Sequence, residues 1–274
     1  MTRADTHDAR TTRTSRAERT RAEPTDAERT GAERTRGERI HDKATRIHDR
    51  AVTDIPVTTE GLPDWLGPVV RAMRTVAPEQ LSRFLPPKNG LGRQSAVLVL
   101  FGEGARGPEL LLMERASTLR SHAGQASFPG GALDPEDGDP ATTGPLRAAL
   151  REAEEETGLD PTGVQVFGVL PKLYIPVSEF VVTPVLGWWH TPTPVGAVDL
   201  AETARVFAVP VADLTDPANR VTATHPSGVH SPAFTVASAL VWGFTAGVID
   251  RILHFSGWER PWDRTKEVPL DRRS

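Results

Sequence analysis

Four glutamates crowd into five consecutive positions of the stretch REAEEETG, residues 151–158: Glu152, Glu154, Glu155 and Glu156. On a helix, each like-charged pair three or four residues apart is destabilising by on the order of a few tenths of a kcal/mol. At about 100° per residue, Glu152, Glu155 and Glu156 share one stripe, whereas Glu154 points elsewhere. Such a stripe suits Mg²⁺ or Mn²⁺, hard cations that prefer oxygen ligands and would remove the repulsion. The alternative is a solvated acidic helix face.

The residues around the glutamates predict where this helix begins and ends. Thr143 is a plausible N-cap, Pro145 is tolerated in the first turn, and Gly158 is placed to end the helix in a left-handed conformation. The face predicted to contact the core consists of Leu146, Ala149, Leu150 and Ala153. The glutamate stripe lies beside that face.

Hydrophobic patterns elsewhere predict a mixture of strands and helices. A lead-in helix is predicted from the spacing of Leu66, Val69, Val70 and Met73. Strands are predicted at residues 95–101, 109–113, 164–169, 180–186 and 204–209, the first two as a hairpin, with a long loop at 117–131 and a final helix at about 237–255. Because strands and helices do not alternate regularly, the expected class is α+β, with a mixed β-sheet packed between helices.

Composition excludes several kinds of function. The chain has 274 residues, 38% of them hydrophobic, and a net charge of -4, which gives no global attraction for nucleic acid or an acidic membrane. It has no cysteine, and so no disulfide, thiolate nucleophile or zinc-thiolate site. The most apolar long segment contains Asp250 and Arg251 and fits an amphipathic helix better than a membrane span. No secretory signal is evident, and we expect a cytoplasmic protein.

Two linked motifs carry a resemblance to a known family. The run R-E-A-E-E-E-T-G-L at residues 151–159, together with Gly131, resembles the end of the Nudix signature at every fixed position. The run LLLMERASTLRSHAGQASFPGG at residues 110–131 resembles a second signature, that of the coenzyme A pyrophosphatase branch of the Nudix hydrolases. The run LPKLYIPVSEFVVTPVLGWW at residues 170–189 is also similar to that branch. The resemblance covers roughly residues 93–260.

The sequence departs from the Nudix pattern at one place. The gap from Gly131 to Asp137 is kept, but Asp stands where the pattern has Glu. Thirteen residues, 138–150, then precede Arg151, which is six more than the pattern allows. Glycines and prolines cluster there, so we predict that the extra residues form a surface loop before the helix. The partner role of the first acid is not carried over to Asp137.

The resemblance implies a Nudix fold, an α/β/α sandwich, and metal-dependent hydrolysis of the diphosphate of coenzyme A to 3′,5′-ADP and 4′-phosphopantetheine. Bound Mg²⁺ or Mn²⁺ polarises a diphosphate and activates water, so the protein must hold it with carboxylates. Glu152 and Glu156 are the expected catalytic residues and principal metal ligands, and Glu155 is a further ligand. The general base is left open between Glu152 and a loop acid such as Glu179.

The same resemblance implies a set of substrate-binding residues: Arg115, Arg120, His122, Gln125, Gly130 and Gly131. Arginine forms bidentate contacts to phosphate oxygens that lysine cannot match, which suits a substrate with a 3′-phosphate beside its diphosphate. The glycines allow close backbone approach, and a carbonyl there completes the metal shell. The expected partner is a small nucleoside diphosphate, with no nucleic acid and no membrane, bound by a monomer or homodimer.

Three other functions remain open at the level of sequence. The first is Nudix hydrolysis of another nucleoside diphosphate derivative, such as ADP-ribose, NADH or a dinucleotide, against which the LRSHAGQASFPGG stretch argues. The second is a Nudix-derived module that senses a nucleotide without cutting it. An intact R-E-x-x-E-E disfavours that reading, because a sensor would be free to lose those acids. The third is a scaffold acting through the arginine-rich beginning of the chain.

Charge and composition also predict the domain organisation. Residues 1–50 carry 13 basic and 10 acidic residues, a charge of +3, with recurring fragments such as AERT, so the remainder of the chain carries about -7. We predict a disordered low-complexity tail at 1–52, a solvated segment rather than a mitochondrial address because acids are interspersed. The other predicted parts are a helical lead-in at 53–92, the Nudix hydrolase domain at 93–262 and a C-terminal tail at 263–274.

Deleting residues 1–50 is expected to leave the thermal midpoint and the turnover of coenzyme A nearly unchanged. The reason is that the segment has almost no large apolar side chain and contributes no packed apolar area. Thermal unfolding and steady-state kinetics of the full-length and shortened chains check this. A large loss of stability would refute the prediction of a disordered tail.

Overall fold

The computed structural model describes residues 55–119 and 123–271. The predicted tail at residues 1–52 and two candidate substrate-binding side chains, Arg120 and His122, therefore lie outside the described residues. The described part belongs to one compact unit, Asp54–Ser274.

The elements follow the mixed order that the sequence predicts. The helices are α1 (Gly67–Thr75), α2 (Pro78–Leu81), α3 (Gly144–Thr157), α4 (Val211–Thr215) and α5 (Gly243–Phe255). The strands of the larger sheet are β1 (Arg93–Gly104), β2 (Gly107–Arg115), β3 (Ala126–Ser127), β4 (Gly130–Ala132), β5 (Val164–Val169), β6 (Leu173–Ile175), β7 (Phe180–Trp189) and β8 (Thr203–Pro210). Those of the smaller sheet are β9 (Arg220–Thr224), β10 (His230–Val236), β11 (Ala239–Val241) and β12 (Glu267–Pro269). Short 3₁₀ turns include Asp64–Leu66 and Pro135–Asp137.

The eight-stranded sheet is mixed, with β1 and β7 at its centre. These two strands run parallel, from Arg93 opposite Phe180 to Phe101 opposite Trp188. On one side β1 pairs antiparallel with β2 and β4, and β2 continues the sheet to β3 and β8. On the other side β7 pairs antiparallel with β5 and β6. The predicted hairpin of β1 and β2 is confirmed, with longer strands and a tighter turn.

Both faces of this sheet are covered, because β1 is apolar on alternate sides. Leu98 and Leu100 belong to the core under α3, together with Leu146 and Ala149 of that helix. Neighbouring residues of β1, such as Val99 and Phe101, face the opposite core, which contains Val69 of α1 and Ile249 of α5. The fold is therefore the α/β/α sandwich of the Nudix class, as expected. A strand buried on both faces reads as a continuous apolar run, as SAVLVLF does.

The beginning of the last helix was predicted wrongly. Residues Ala239–Val241 form strand β11, which pairs with β10, and α5 begins only at Gly243. The turn between β10 and β11 is made by Ala237 and Ser238, both with positive φ. An apolar run next to a helix does not reveal this turn, because alanine is not a turn residue and the turn preference of serine is weaker than that of asparagine or aspartate. Strand β12, in the segment predicted as a C-terminal tail, pairs with β9.

The glutamate helix has the predicted bounds. It begins after Thr143, although the threonine side chain makes no capping hydrogen bond. It ends at Gly158, whose φ of 71° is left-handed and whose N–H donates to the carbonyl of Glu154 at 2.8 Å. The residues before it, 138–142, are exposed, so the predicted surface loop is confirmed. None of the helices within residues 55–119 and 123–271 is long and apolar enough to span a membrane.

Candidate active site

Helix α3 lays two of its carboxylates against the glycines of β4. One oxygen of Glu156 accepts the N–H of Gly130 at 2.9 Å. The carboxylate of Glu152 lies so close to Gly131 that a Cβ added there would come within 2.4 Å of Glu152 Oε1. Gly130 has a φ of 157°, and a Cβ there would meet the carbonyl of Ala96. Glycine at both positions is thus what lets the helix approach the strand.

The structure brings together two of the three carboxylates in the predicted stripe. The side chains of Glu152 and Glu156 are 19% and 12% exposed, whereas that of Glu155 is 55% exposed and bonds Arg151 Nη1 at 3.2 Å. Among residues 55–119 and 123–271, no group of three or more acidic, histidine or cysteine side chains is arranged to hold a metal ion. Residues four apart share a helix face more closely than residues three apart, which accounts for the divergence of Glu155.

Arg151 is the hub that fixes the carboxylates in place. Its Nε and Nη2 donate to the two carboxylate oxygens of buried Asp137 at 3.1 and 2.9 Å. Its Nη1 donates to Glu152 at 3.0 Å and its Nη2 to the carbonyl of Ala132 at 3.2 Å. Asp137 is therefore the partner of Arg151 despite the six extra residues. The spacing of the sequence did not predict this ion pair. It forms because the residues between Asp137 and α3 loop outward.

Burial shifts the ionisation of this group. The pKa of Glu156 is raised from 4.5 to about 7, mainly by burial and also by the charges of Glu152 and Glu202, against the opposing effects of the Gly130 N–H and Arg115. Burial also raises the pKa of Glu152, although Arg151 opposes the shift. Both carboxylates are thus poorly solvated as anions, and a nearby cation would stabilise them.

The segment between β2 and β4 borders the same carboxylates. Arg115, the last residue of β2, places Nη1 3.9 Å from Glu156 Oε1. Its buried Nε has no hydrogen-bond partner among the described residues. Its main-chain N–H donates to the carbonyl of Gln125 at 3.0 Å, which brings this candidate residue back beside β2. A buried guanidinium N–H without a partner is suited to donate a hydrogen bond to an anionic ligand.

The sequence could not predict the positions of two further acids, Glu202 and Glu179. Glu202 is exposed, and its carbonyl accepts the N–H of Ala116 beside Arg115, so β8 brings an acid close to Glu156 that we did not predict. No local motif signals it, because its position depends on the pairing of β2 with β8. Glu179, the alternative base, is exposed at the beginning of β7, where its carbonyl accepts the N–H of Arg93. Arg93 precedes Val97 by four residues on β1, and Val97 is the residue that pairs with Gly130.

The donor set fits a hard divalent cation. Two half-buried carboxylates with raised pKa values lie against a glycine backbone that leaves room for close approach, and oxygen donors are the ones Mg²⁺ and Mn²⁺ prefer. An α/β/α sandwich that presents an R-E-x-x-E-E helix to a glycine strand defines a Nudix-type hydrolase.

Comparison with known proteins agrees with this class. Residues 92–230 match the model of the NUDIX domain, about half of the chain, and the chain belongs to the Nudix family. Nudix hydrolases act on nucleoside diphosphate derivatives and generally use divalent metal ions such as Mg²⁺ or Mn²⁺.

Among relatives, the chain is 42% identical over 166 residues to the uncharacterized Nudix hydrolase NudL of Cronobacter sakazakii, covering 57% of this chain and 79% of the relative. It is 40% identical over 178 residues to the NudL of Klebsiella pneumoniae, covering 62% and 86%. Among solved structures, the Nudix hydrolase RenU of M. smegmatis is 18% identical with a TM-score of 0.43, covering 66% of this chain and 98% of that one.

Replacing Gly131 by Ala is expected to lower hydrolytic turnover by about 10- to 100-fold with little change in stability. The new Cβ would displace the carboxylate of Glu152, which is the end of a flexible side chain, so the fold adjusts while the site loses its geometry. Kinetics and thermal unfolding of the variant check this. Gly107→Ala in the β1–β2 turn is the control, since a Cβ there meets nothing within 4 Å. Its positive φ penalises stability, but its turnover should match wild type. Full activity of Gly131→Ala would contradict the role given to this contact.

Proposed function

We propose that this Nudix hydrolase cleaves the diphosphate bond of coenzyme A or its derivatives, giving 3′,5′-ADP and 4′-phosphopantetheine or its acyl form. The domain at residues 93–262 would carry this activity with Mg²⁺ or Mn²⁺, in the cytoplasm, as a monomer or homodimer. One observation carries the proposal. Two residues of the segment that resembles the coenzyme A branch lie against the same carboxylate: Arg115 near its beginning and Gly130 near its end both lie beside Glu156.

The carboxylates of α3 are assigned to the metal and to the attacking water. A divalent ion, when bound, supplies Lewis-acid polarisation of the diphosphate and lowers the pKa of water. Glu152 and Glu156 would hold it, and exposed Glu155 would contribute through water. Of the two candidate bases, Glu152 is favoured, because Arg151 fixes it beside Gly131, whereas Glu179 is exposed and its backbone bonds Arg93 at the beginning of β1. A carboxylate oxygen of Glu152 would receive the proton.

Substrate binding is assigned to the segment that begins at Arg115. Nη1 of this residue lies 3.9 Å from Glu156 Oε1, and its Nε has no hydrogen-bond partner among the described residues, so the guanidinium would neutralise a phosphate oxygen beside the metal donors. Gln125, just before β3, would add a hydrogen bond, and Gly130 and Gly131 would let the diphosphate approach the backbone. Arg120 and His122, which lie outside the described residues, would contact the 3′-phosphate from the same loop.

Replacing Arg120 by Ala is expected to raise the KM for coenzyme A by about tenfold, and the KM for a substrate without the 3′-phosphate by much less. A charge-assisted contact to that phosphate would be lost only in the first case. Steady-state kinetics on coenzyme A and 3′-dephospho-coenzyme A measure the difference. Equal losses on both substrates would move Arg120 to the diphosphate.

A single assay tests the proposed function. Purified protein with Mg²⁺ or Mn²⁺ is incubated with coenzyme A, ADP-ribose, NADH and a dinucleoside polyphosphate, and the products are identified by mass. We expect 3′,5′-ADP and 4′-phosphopantetheine from coenzyme A at the highest kcat/KM. Cleavage of ADP-ribose with coenzyme A left intact would overturn the substrate. Binding of a nucleotide without any product would indicate a sensing module.

A further inference from the structure

A pocket lies at the edge of the large sheet, beside the beginning of α3. Its volume is ≈ 320 Å³. The residues that line it are Met73, Pro140, Ala141, Thr142, Pro145, Leu146, Val169, Leu170, Pro171, Lys172 and Thr183. Three of them, Pro140, Ala141 and Thr142, belong to the surface loop before α3, in the stretch that is six residues longer than the usual Nudix spacing. This loop therefore builds one wall of the pocket.

The pocket exists because the sheet edge is interrupted there. Strand β5 ends at Val169 and β6 begins at Leu173, so the residues between them leave a gap along β7. Helices from both faces of the sheet therefore line the pocket. Leu146 of α3 lines it from one face, and Met73 of α1 lines it from the other. The walls are largely apolar. They would receive aliphatic groups of a ligand.

Two polar groups give the pocket a preference for hydrogen-bond acceptors. The hydroxyl of Thr183 is buried, 5% exposed as a residue, and has no hydrogen-bond partner among the described residues. The ammonium of Lys172 donates to Gln94 Oε1 at 3.2 Å and to the carbonyl of Pro140 at 3.0 Å, which uses two of its three donors. Of the described residues that line the pocket, none is acidic. A buried hydroxyl without a partner is costly unless a ligand satisfies it.

A short path joins this pocket to the carboxylates. Strand β4 begins at Gly130, which contacts Glu156, and ends at Ala132. The next residue, Leu133, donates its N–H to the carbonyl of Gln94 at 2.9 Å. Gln94 in turn accepts from Lys172 at the pocket. Along α3, seven residues separate the pocket wall at Pro145 from Glu152, roughly 10 Å at the rise of an α-helix. Arg115 lies at the opposite, Glu156 end of the same path.

We propose that this pocket binds the arm attached to the second phosphate of the substrate, an aliphatic chain with amide groups of the pantetheine class. The inference rests on the proposed function. Such an arm is about as long as four extended residues, roughly 14 Å, which exceeds the roughly 10 Å along α3 between the pocket wall at Pro145 and Glu152. Its amide oxygens accept from Lys172 and Thr183, and its aliphatic parts contact the apolar walls. The nucleotide then lies towards Arg115.

Two variants test the inference in different ways. Ala141→Trp fills the pocket from the exposed loop and is expected to raise the Kd of pantetheine, used alone as the probe, at least tenfold. It should also raise the KM for coenzyme A while leaving the Kd of 3′,5′-ADP unchanged. Thr183→Val removes the buried hydroxyl and keeps its shape, so it should weaken pantetheine binding while the protein is no less stable. Calorimetric titration and thermal unfolding measure these effects.

Ala105→Trp, at the exposed turn between β1 and β2, is the matched control and should bind pantetheine like the wild type. If Ala141→Trp binds pantetheine as well as this control does, the pocket assignment is wrong. If the wild type cleaves coenzyme A but binds no pantetheine, the pocket fails and the proposed function stands. If coenzyme A is left intact while Ala141→Trp still abolishes pantetheine binding, the proposed function fails and the pocket stands.

Discussion

Replacing Glu156 by Gln is expected to lower the turnover of the diphosphate substrate by about 10³-fold. The variant keeps the shape of the side chain and an oxygen for the N–H of Gly130, but it removes one of the two carboxylate charges assigned to the proposed metal site. Lewis-acid stabilisation by a metal is worth several kcal/mol, and a loss of about 4 kcal/mol corresponds to that change in rate. Steady-state kinetics with saturating Mg²⁺ or Mn²⁺ measure it.

The same substitution should not destabilise the metal-free protein. Burial raises the pKa of Glu156 from 4.5 to about 7, so its favourable contribution to stability is complete below pH 4.5 and is lost as the pH rises through 7. Glutamine carries no charge, so above pH 7 the free energy of unfolding of the variant should equal that of the wild type or exceed it by up to about 3 kcal/mol. Denaturant unfolding at pH 5 and pH 8 without metal tests the sign. Saturating Mg²⁺ should raise the melting temperature of the variant less than that of the wild type.

Glu154→Gln is the matched control, because Glu154 lies on a different side of α3. It should keep nearly full activity and the full metal-induced rise in melting temperature. Equal damage from the two variants, or full activity of Glu156→Gln, would mean that the glutamates form a solvated surface. The assignment of a metal to this helix would then fail.

Replacing Asp250 by Ala is expected to reduce the free energy of unfolding by about 3–5 kcal/mol. Asp250 on α5 forms an ion pair with Arg220 at the start of β9, and their side chains are 2% and 1% exposed. The guanidinium also lies 4.5 Å from the ring centre of Phe234 and 4.6 Å from that of Trp262. Burial lowers the pKa of Arg220, while Asp250 opposes that shift. Because arginine stays protonated in proteins, the role of the carboxylate is to compensate a buried positive charge. Removing it leaves a buried charge unpaired.

Urea unfolding of three variants compares the contribution of this buried ion pair with that of an exposed ion pair. Asp213→Ala breaks an ion pair with Arg106, whose side chain is 63% exposed, and should change stability by about 1 kcal/mol or less. The double variant Arg220→Met with Asp250→Leu removes both charges and should recover much of the loss. If Asp250→Ala unfolds at the same urea concentration as Asp213→Ala, the buried pair is not a determinant of stability.

Local sequence patterns determined the glutamate helix α3 and the main strands. Pro145 near the start and Gly158 at the end bracketed α3 correctly, because helix ends depend on the conformational preferences of single residues. The apolar run of β1 and the strand at Val164–Val169 were also recognisable, since burial on sheet faces imposes its own pattern. The R-E-x-x-E-E spacing sufficed to place two carboxylates on one side of a helix. Family motifs, rather than composition, identified the class.

Only the tertiary structure decided which of these groups meet. It paired Asp137 with Arg151 across the inserted loop, directed Glu155 into solvent, and brought Glu202 beside Glu156 through the pairing of β2 with β8. Each outcome depends on contacts between residues far apart in the chain, where spacing carries no information about distance. The turn at residues 237–238 and the pocket beside α3 have the same origin. A short apolar segment forms a strand or a helix according to the surface it packs against, and a pocket exists only where packed elements leave a gap.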